Sequence, residues 1–197
     1  MSQQILGKVE AVLVGTDGTG VSKGVNKIQV FANRGIKGEI HYGLTRLMDV
    51  REKELKSFGL PKGIEIANFR QFSATSAEEL EEIAELMRIP EIHYGLLGEN
   101  LVISGIENFT HLPTGTMFMF RKDNNTIRTA ALVSWQENTP CEIPARNIQQ
   151  SFPDLQFAIP FQTAAIGKRG LVGVVYSSGF IHQGDLIEAR IPLIEEK

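Results

Sequence analysis

Short apolar runs separated by glycine, proline and asparagine turns constrain this chain more than any other feature of its sequence. Gly7 to Gly15, Lys27 to Ala32, Asn68 to Ser73, Leu101 to Ile103, Met117 to Phe120, Ile127 to Trp135, Leu171 to Tyr176 and Leu186 to Ile191 each have the length and composition of a strand. Between them stand breaker-rich segments: Thr16 to Gly24, Leu112-Pro113-Thr114-Gly115-Thr116, Asp123-Asn124-Asn125 and Gly179 to Asp185. The turn at Asp123 to Asn125 makes its two flanking strands a hairpin. Helical pattern is scarce. These features predict a mainly β fold, a barrel or sandwich with a few short peripheral helices.

The clearest helix opens at Ser76-Ala77-Glu78-Glu79, which reads as a capping box in which the serine oxygen accepts from the Glu79 amide and the Glu79 carboxylate reaches back. It runs to about Arg88 with Leu80, Ile83, Ala84 and Met87 on one face, and Pro90 prevents its continuation. Pro144 is read as the start of a second, short helix to about Gln150. Asp49 to Ser57 reads as a third, stopped by Phe58-Gly59-Leu60-Pro61. On strict alternation Arg70 shares a face with Phe72, so it is expected to be partly buried against an anionic partner.

At 197 residues the chain is long enough to bury a core without disulfides or metals, and residues 1–197 are read as one domain. A net charge of −3 gives no reason to expect a nucleic-acid partner. Met1 to Lys8 lacks the pattern of a signal peptide, and no window approaches a membrane-spanning apolar length, so a cytoplasmic location without membrane contact is the expectation.

A single cysteine, Cys141, excludes an internal disulfide, a Cys-x-x-Cys pair, a multi-cysteine zinc site and a self-contained iron–sulfur cluster. Any redox chemistry at this thiol therefore requires a second molecule. Cys141 lies in the loop Thr139-Pro140-Cys141-Glu142, just ahead of the expected helix start. The helix dipole and Arg146 one turn in favour thiolate, whereas Glu142 opposes it. Two readings stay open: a reactive thiol, or a small buried hydrophobe. Two glycine loops carry basic residues, Arg34 to Gly43 and Gly167-Lys168-Arg169-Gly170, and each reads either as an anion site or as solvated charge. Neither has a phosphate-loop or dinucleotide fingerprint. There is no Gly-x-Ser-x-Gly elbow. His41, His93, His111 and His182 are widely separated and form no helical metal pair.

Several segments, in order, are similar to one family's pattern: Gly35-Ile36-Lys37-Gly38-Glu39-Ile40-His41-Tyr42-Gly43, Arg70-Gln71-Phe72-Ser73, Gly98-Glu99-Asn100-Leu101, Leu112-Pro113-Thr114-Gly115, Pro140-Cys141, Gly170 to Gly179 and Gly184-Asp185. Over about residues 25–190 the chain resembles a MOSC domain, the module found at the C-terminus of molybdenum cofactor sulfurases and as small stand-alone bacterial proteins. Glu39 replaces the usual aspartate, and Ile40 stands where many members carry arginine. The resemblance implies a β-barrel in which Cys141 either carries sulfur as a persulfide or ligates molybdenum in a pterin cofactor. It makes Arg34, Lys37, His41, Arg70, Asn100, Lys168 and Arg169 the candidate cofactor contacts. A sulfur carrier implies a cysteine desulfurase or other sulfur donor and a sulfur acceptor as partners, with pyridoxal phosphate confined to the desulfurase. A molybdenum-dependent reductase of N-oxygenated compounds implies an external electron donor. The remaining alternative is a non-catalytic β module with a buried cysteine.

Overall fold

The computed structural model describes residues 4–49, 51–123 and 125–192, the side chains of Lys53 and Glu54 excepted. In chain order its elements are β1 Gln4–Val14, β2 Lys23–Val25, β3 Lys27–Phe31, β4 Gly35–Ile36, β5 Thr45–Leu47, α1 Lys53–Ser57, β6 Glu65–Ala67, β7 Phe72–Ser76, α2 Ala77–Met87 and β8 Leu101–Ser104. A one-turn 3-10 helix, Phe109–His111, precedes β9 Met117–Arg121, β10 Arg128–Glu137, α3 Glu142–Ser151, α4 Phe161–Ala164, β11 Leu171–Ser177, β12 Gly179–His182 and β13 Leu186–Arg190.

The main sheet runs β13-β9-β10-β11-β7-β8-β1-β2, and β13 also pairs with β1, so seven strands close into a barrel with β2 flanking it. Closure leaves the ring without an edge. Its junctions are antiparallel except β7–β8, which is parallel and therefore needs a crossover, supplied by α2. A small sheet of β12, β3 and β4 and the two-stranded β5–β6 ribbon complete the β structure.

The apolar runs are nearly continuous because many strands are covered on both faces. In β8, Leu101 and Ile103 point into the barrel core with Phe72, Phe118, Phe120 and Ile187. Val102 between them faces outward into a second core with Leu80, Ile83 and Met87 of α2, Ile148 of α3 and Phe161 of α4. The helices are thus a layer on the outside of the barrel.

Several local expectations change. Ser76 does cap α2, its hydroxyl oxygen accepting from the Glu79 amide at 3.2 Å. Glu79, however, does not reach back; it accepts from the amide and hydroxyl of Thr110 at 2.9 and 2.6 Å, and Glu78 takes the Ser76 hydroxyl instead. The strand expected from Asn68 begins only at Phe72, because the Asn68 and Gln71 side chains bond loop backbone: Asn68 to the His41 and Gly43 carbonyls, and Gln71 to the Asn33 carbonyl and the Val175 amide. α1 starts at Lys53, later than Asp49. α3 starts at Glu142, two residues before Pro144. The missing N–H of Pro144 then falls among the first-turn donors that no helix satisfies internally, so nothing is lost. Gly179 to His182 is a strand and not part of a turn. Gly179 is there for clearance, since a β-carbon would lie 1.6 Å from the Thr129 carbonyl oxygen. Asn124 of the hairpin turn lies outside the described residues, and β9 and β10 pair antiparallel as expected.

Candidate functional site

Cys141 is the N-cap of α3, in extended backbone (φ −141°, ψ 178°), and its side chain makes no cap hydrogen bond. The thiol is exposed, which excludes the reading of a buried small hydrophobe. The loop ahead of it is held by Asn138, whose amide donates to the Gly170 carbonyl at 2.8 Å and whose side-chain oxygen accepts from Arg70 Nη2 at 2.8 Å. α3 itself is pinned by Asn147 Nδ2, which donates to the carbonyls of Gly20 and Leu96, both at 3.1 Å.

Beside this corner lies Arg169, only 4% exposed. Its Nη2 donates to the Leu97 carbonyl, while Nε and Nη1 are sealed from solvent without a partner. Burial pushes its pKa down, opposed by the negative charge of Glu99 and of a Cys141 thiolate. Glu99 is fully buried and raised by that burial, and it spends its oxygens on the amides of Gly95 (2.6 Å) and Leu97 (3.1 Å).

The other flank is an ion-pair cluster formed by Arg46 of β5 and the segment that follows it. Arg46 donates with Nη1 and Nη2 to the two oxygens of Glu52, the first at 3.2 Å, and Glu52 also accepts from the Asp49 amide at 3.0 Å. Arg51 Nε lies 3.0 and 2.9 Å from the Asp49 oxygens. Burial pushes the Asp49 carboxyl up, but the hydrogen bonds and charge of Arg51, with Arg46, bring it down to about 2. Arg51 also feels the Cys141 charge, which ties the cluster to the thiol electrostatically. Burial, then Arg51 and Arg46, lower Arg70 to about 10. Burial, then Arg51, Arg70 and Arg46, hold His41 at about 4, so its imidazole is neutral at physiological pH.

The structure therefore brings Cys141, Arg169, Arg70 and His41 into one neighbourhood and leaves the other candidates apart. The direct partner of Arg70 is the Asn138 amide oxygen and not an anion, the acids Glu52 and Asp49 acting on it only through their charge. Asn100 is buried as a bracket: its nitrogen donates to Glu39 at 2.8 Å and its oxygen accepts from the Ser73 amide at 3.0 Å. Lys168 pairs with Glu82 of α2 at 2.5 Å. Arg34 and Lys37 are exposed on the first glycine loop. Glu39 in that loop is no anion site; its buried carboxylate accepts from the amides of Gly15 (2.7 Å) and Ile40 (3.1 Å) and from Asn100. The Arg46–Asp49–Arg51–Glu52 cluster escaped the sequence reading, because alternating charges after a short strand carry no local signature. No group of three or more metal-ligating acidic, cysteine or histidine side chains exists among the described residues.

The family model of the MOSC domain matches residues 39–188. This chain belongs to the MOSC domain family. A Bacillus subtilis (strain 168) protein described as "Putative metal-sulfur cluster biosynthesis proteins YuaD" is 35% identical over 191 residues, spanning 96% of this MOSC protein and 93% of the relative. The crystal structure of YuaD from Bacillus subtilis superposes with a TM-score of 0.86 at 33% identity, covering 98% of this chain and 100% of that one. YiiM from Geobacillus stearothermophilus, at 17% identity and a TM-score of 0.58 over 93% of this chain and 74% of its own, shares the MOSC fold. Among the described residues no helix is long and apolar enough to cross a membrane.

Proposed function

We propose that this MOSC protein is a sulfur carrier, holding sulfur as a persulfide on Cys141 and passing it to an acceptor. The observation that carries this reading is an exposed thiol at the N-cap of a helix, making no cap hydrogen bond and with arginine charge on both sides. The thiolate form of a cysteine is the nucleophile in sulfur exchange. Exposure lets a protein partner reach the sulfur. With no second cysteine in the chain, a persulfide here cannot collapse into an internal disulfide. The donor in this reading is a separate cysteine desulfurase, which holds the pyridoxal phosphate, and the curated name of the YuaD relative supports a sulfur-handling role.

Incubation with a desulfurase and cysteine is expected to add one sulfur to Cys141, seen by mass spectrometry and released by cyanide as thiocyanate. Cys141→Ala should abolish it. A wild-type protein that never gains the mass is not a carrier.

The unpartnered Arg169 nitrogens favour a second reading, a molybdenum–pterin cofactor, because they would suit its phosphate while Cys141 would supply a thiolate ligand. Arg70 would flank such a group. When bound, that cofactor supplies oxygen-atom transfer, with electrons from an external donor. Molybdenum and oxidised-pterin fluorescence in protein from cofactor-making cells, both lost in Cys141→Ala, is the expected result; metal-free protein rejects it.

A further inference from the structure

Two sets of hydrogen-bond donors lie near one nucleophile at the start of α3. The amides of Glu142 and Ile143, its first helical residues, have no acceptor within the helix, and Pro144 contributes no N–H. Arg169 adds two buried nitrogens without partners. Its position is fixed by three bonds: Asn138 to the Gly170 carbonyl, and Asn147 and Arg169 to the adjacent carbonyls of Leu96 and Leu97. These bonds place the guanidinium under the first turns of α3, beside the Cys141 loop. A cation out of water with idle donors is costly unless an anion meets it, and a helix start favours the same charge. The charge of Glu99 acts on Arg169 but takes up none of its idle N–H groups, since its oxygens are taken by the Gly95 and Leu97 amides.

We propose that this corner binds thiosulfate and that Cys141 takes its outer sulfur, making the protein a thiosulfate sulfurtransferase. This rests on the carrier reading and extends it to a small-molecule donor. A persulfide handed over by a desulfurase brings no oxyanion and leaves the Arg169 nitrogens idle. Thiosulfate brings both parts: sulfonate oxygens as acceptors for Arg169 and the α3 amides, and a transferable sulfur for the thiolate. Cys141 thiolate attacks the outer sulfur, forming a new S–S bond as the S–S bond of thiosulfate breaks. The electron pair leaves with sulfite, giving Cys141 persulfide. Charge balances, from a thiolate and a dianion to a persulfide anion and a dianion, and no outside oxidant or reductant is needed. Cyanide then takes the terminal sulfur as thiocyanate and restores the thiolate.

The test is thiocyanate production from thiosulfate and cyanide by the full chain, run beside loading from a desulfurase and cysteine. The expected result is steady thiocyanate formation, a one-sulfur mass gain on Cys141 with thiosulfate alone, and loss of both in Cys141→Ser. Arg169→Met is expected to raise KM for thiosulfate by about tenfold or more, the loss of a charged hydrogen bond. If that variant lacks a native circular dichroism spectrum, Arg169→Lys replaces it, with the same direction expected. Desulfurase loading without thiosulfate loading overturns the thiosulfate proposal and leaves the carrier standing. Loading from neither overturns both. Thiosulfate turnover with an unchanged KM in the folded Arg169 variant overturns the placement of the oxyanion on Arg169.

Discussion

Glu39 and His41, two residues apart, show how one glycine loop divides between scaffold and site. The Glu39 carboxylate holds three N–H donors from Gly15, Ile40 and Asn100 in a buried place. Glu39→Gln must offer its own N–H to one of these donors, so a loss of about 1–3 kcal/mol of stability is expected in urea unfolding. Asn100, expected from the resemblance to touch a cofactor, answers to Glu39 instead, a link no sequence spacing reveals because the residues are 61 apart. His41 faces Arg51, Arg70 and Arg46, with Asp49 as the opposing charge, and its pKa of about 4 lies below the ordinary 6.5. Between these values the unfolded chain binds more protons than the folded one, so stability present at pH 7 is lost as pH falls from 6.5 towards 4. Glu79 and Glu99, raised by burial, titrate with the opposite sign, so the comparison must be with His41→Gln. The expected outcome is a shallower fall in urea midpoint across that window in the variant.

At the scale of elements, strands buried on both faces were legible and short or clearance-driven ones were not. β8, β9, β10 and β11 announce themselves as apolar runs because consecutive residues, and so both faces, are buried along their middles. β12 begins with a glycine required by the Thr129 carbonyl and reads as a turn, while β4, β5 and β6 are too short for a period to emerge. α2 was legible from its apolar stripe and its serine cap, but not the destination of Glu79, since Thr110 approaches only in three dimensions. Ser76→Ala is expected to cost about 1 kcal/mol, read as a lower urea midpoint at unchanged slope. The Cys141 thiol was visible from its sequence loop, whereas its exposure depended on where α3 begins, which Pro144 obscured by standing third in the helix.

For the whole molecule, a barrel or sandwich followed from strand count and turn spacing and the barrel from the family resemblance, but the closing pair did not, because pairing of the first strand with the last leaves no local trace. Those pairs run from Gln4 with Arg190 to Lys8 with Leu186. Deleting residues 1–7 strips most of them and bares the edge of β13, so aggregation is expected, seen as void-volume material in gel filtration; a monodisperse native-like product contradicts the role of closure. The same pairing has a consequence for synthesis. A chain emerging from the ribosome in order makes β1 well before its partner β13, with the thiol loop between them. The ring therefore cannot shut until β13 has emerged, and Cys141 is synthesised before Arg169, Gly170 and the closing strand exist to surround it.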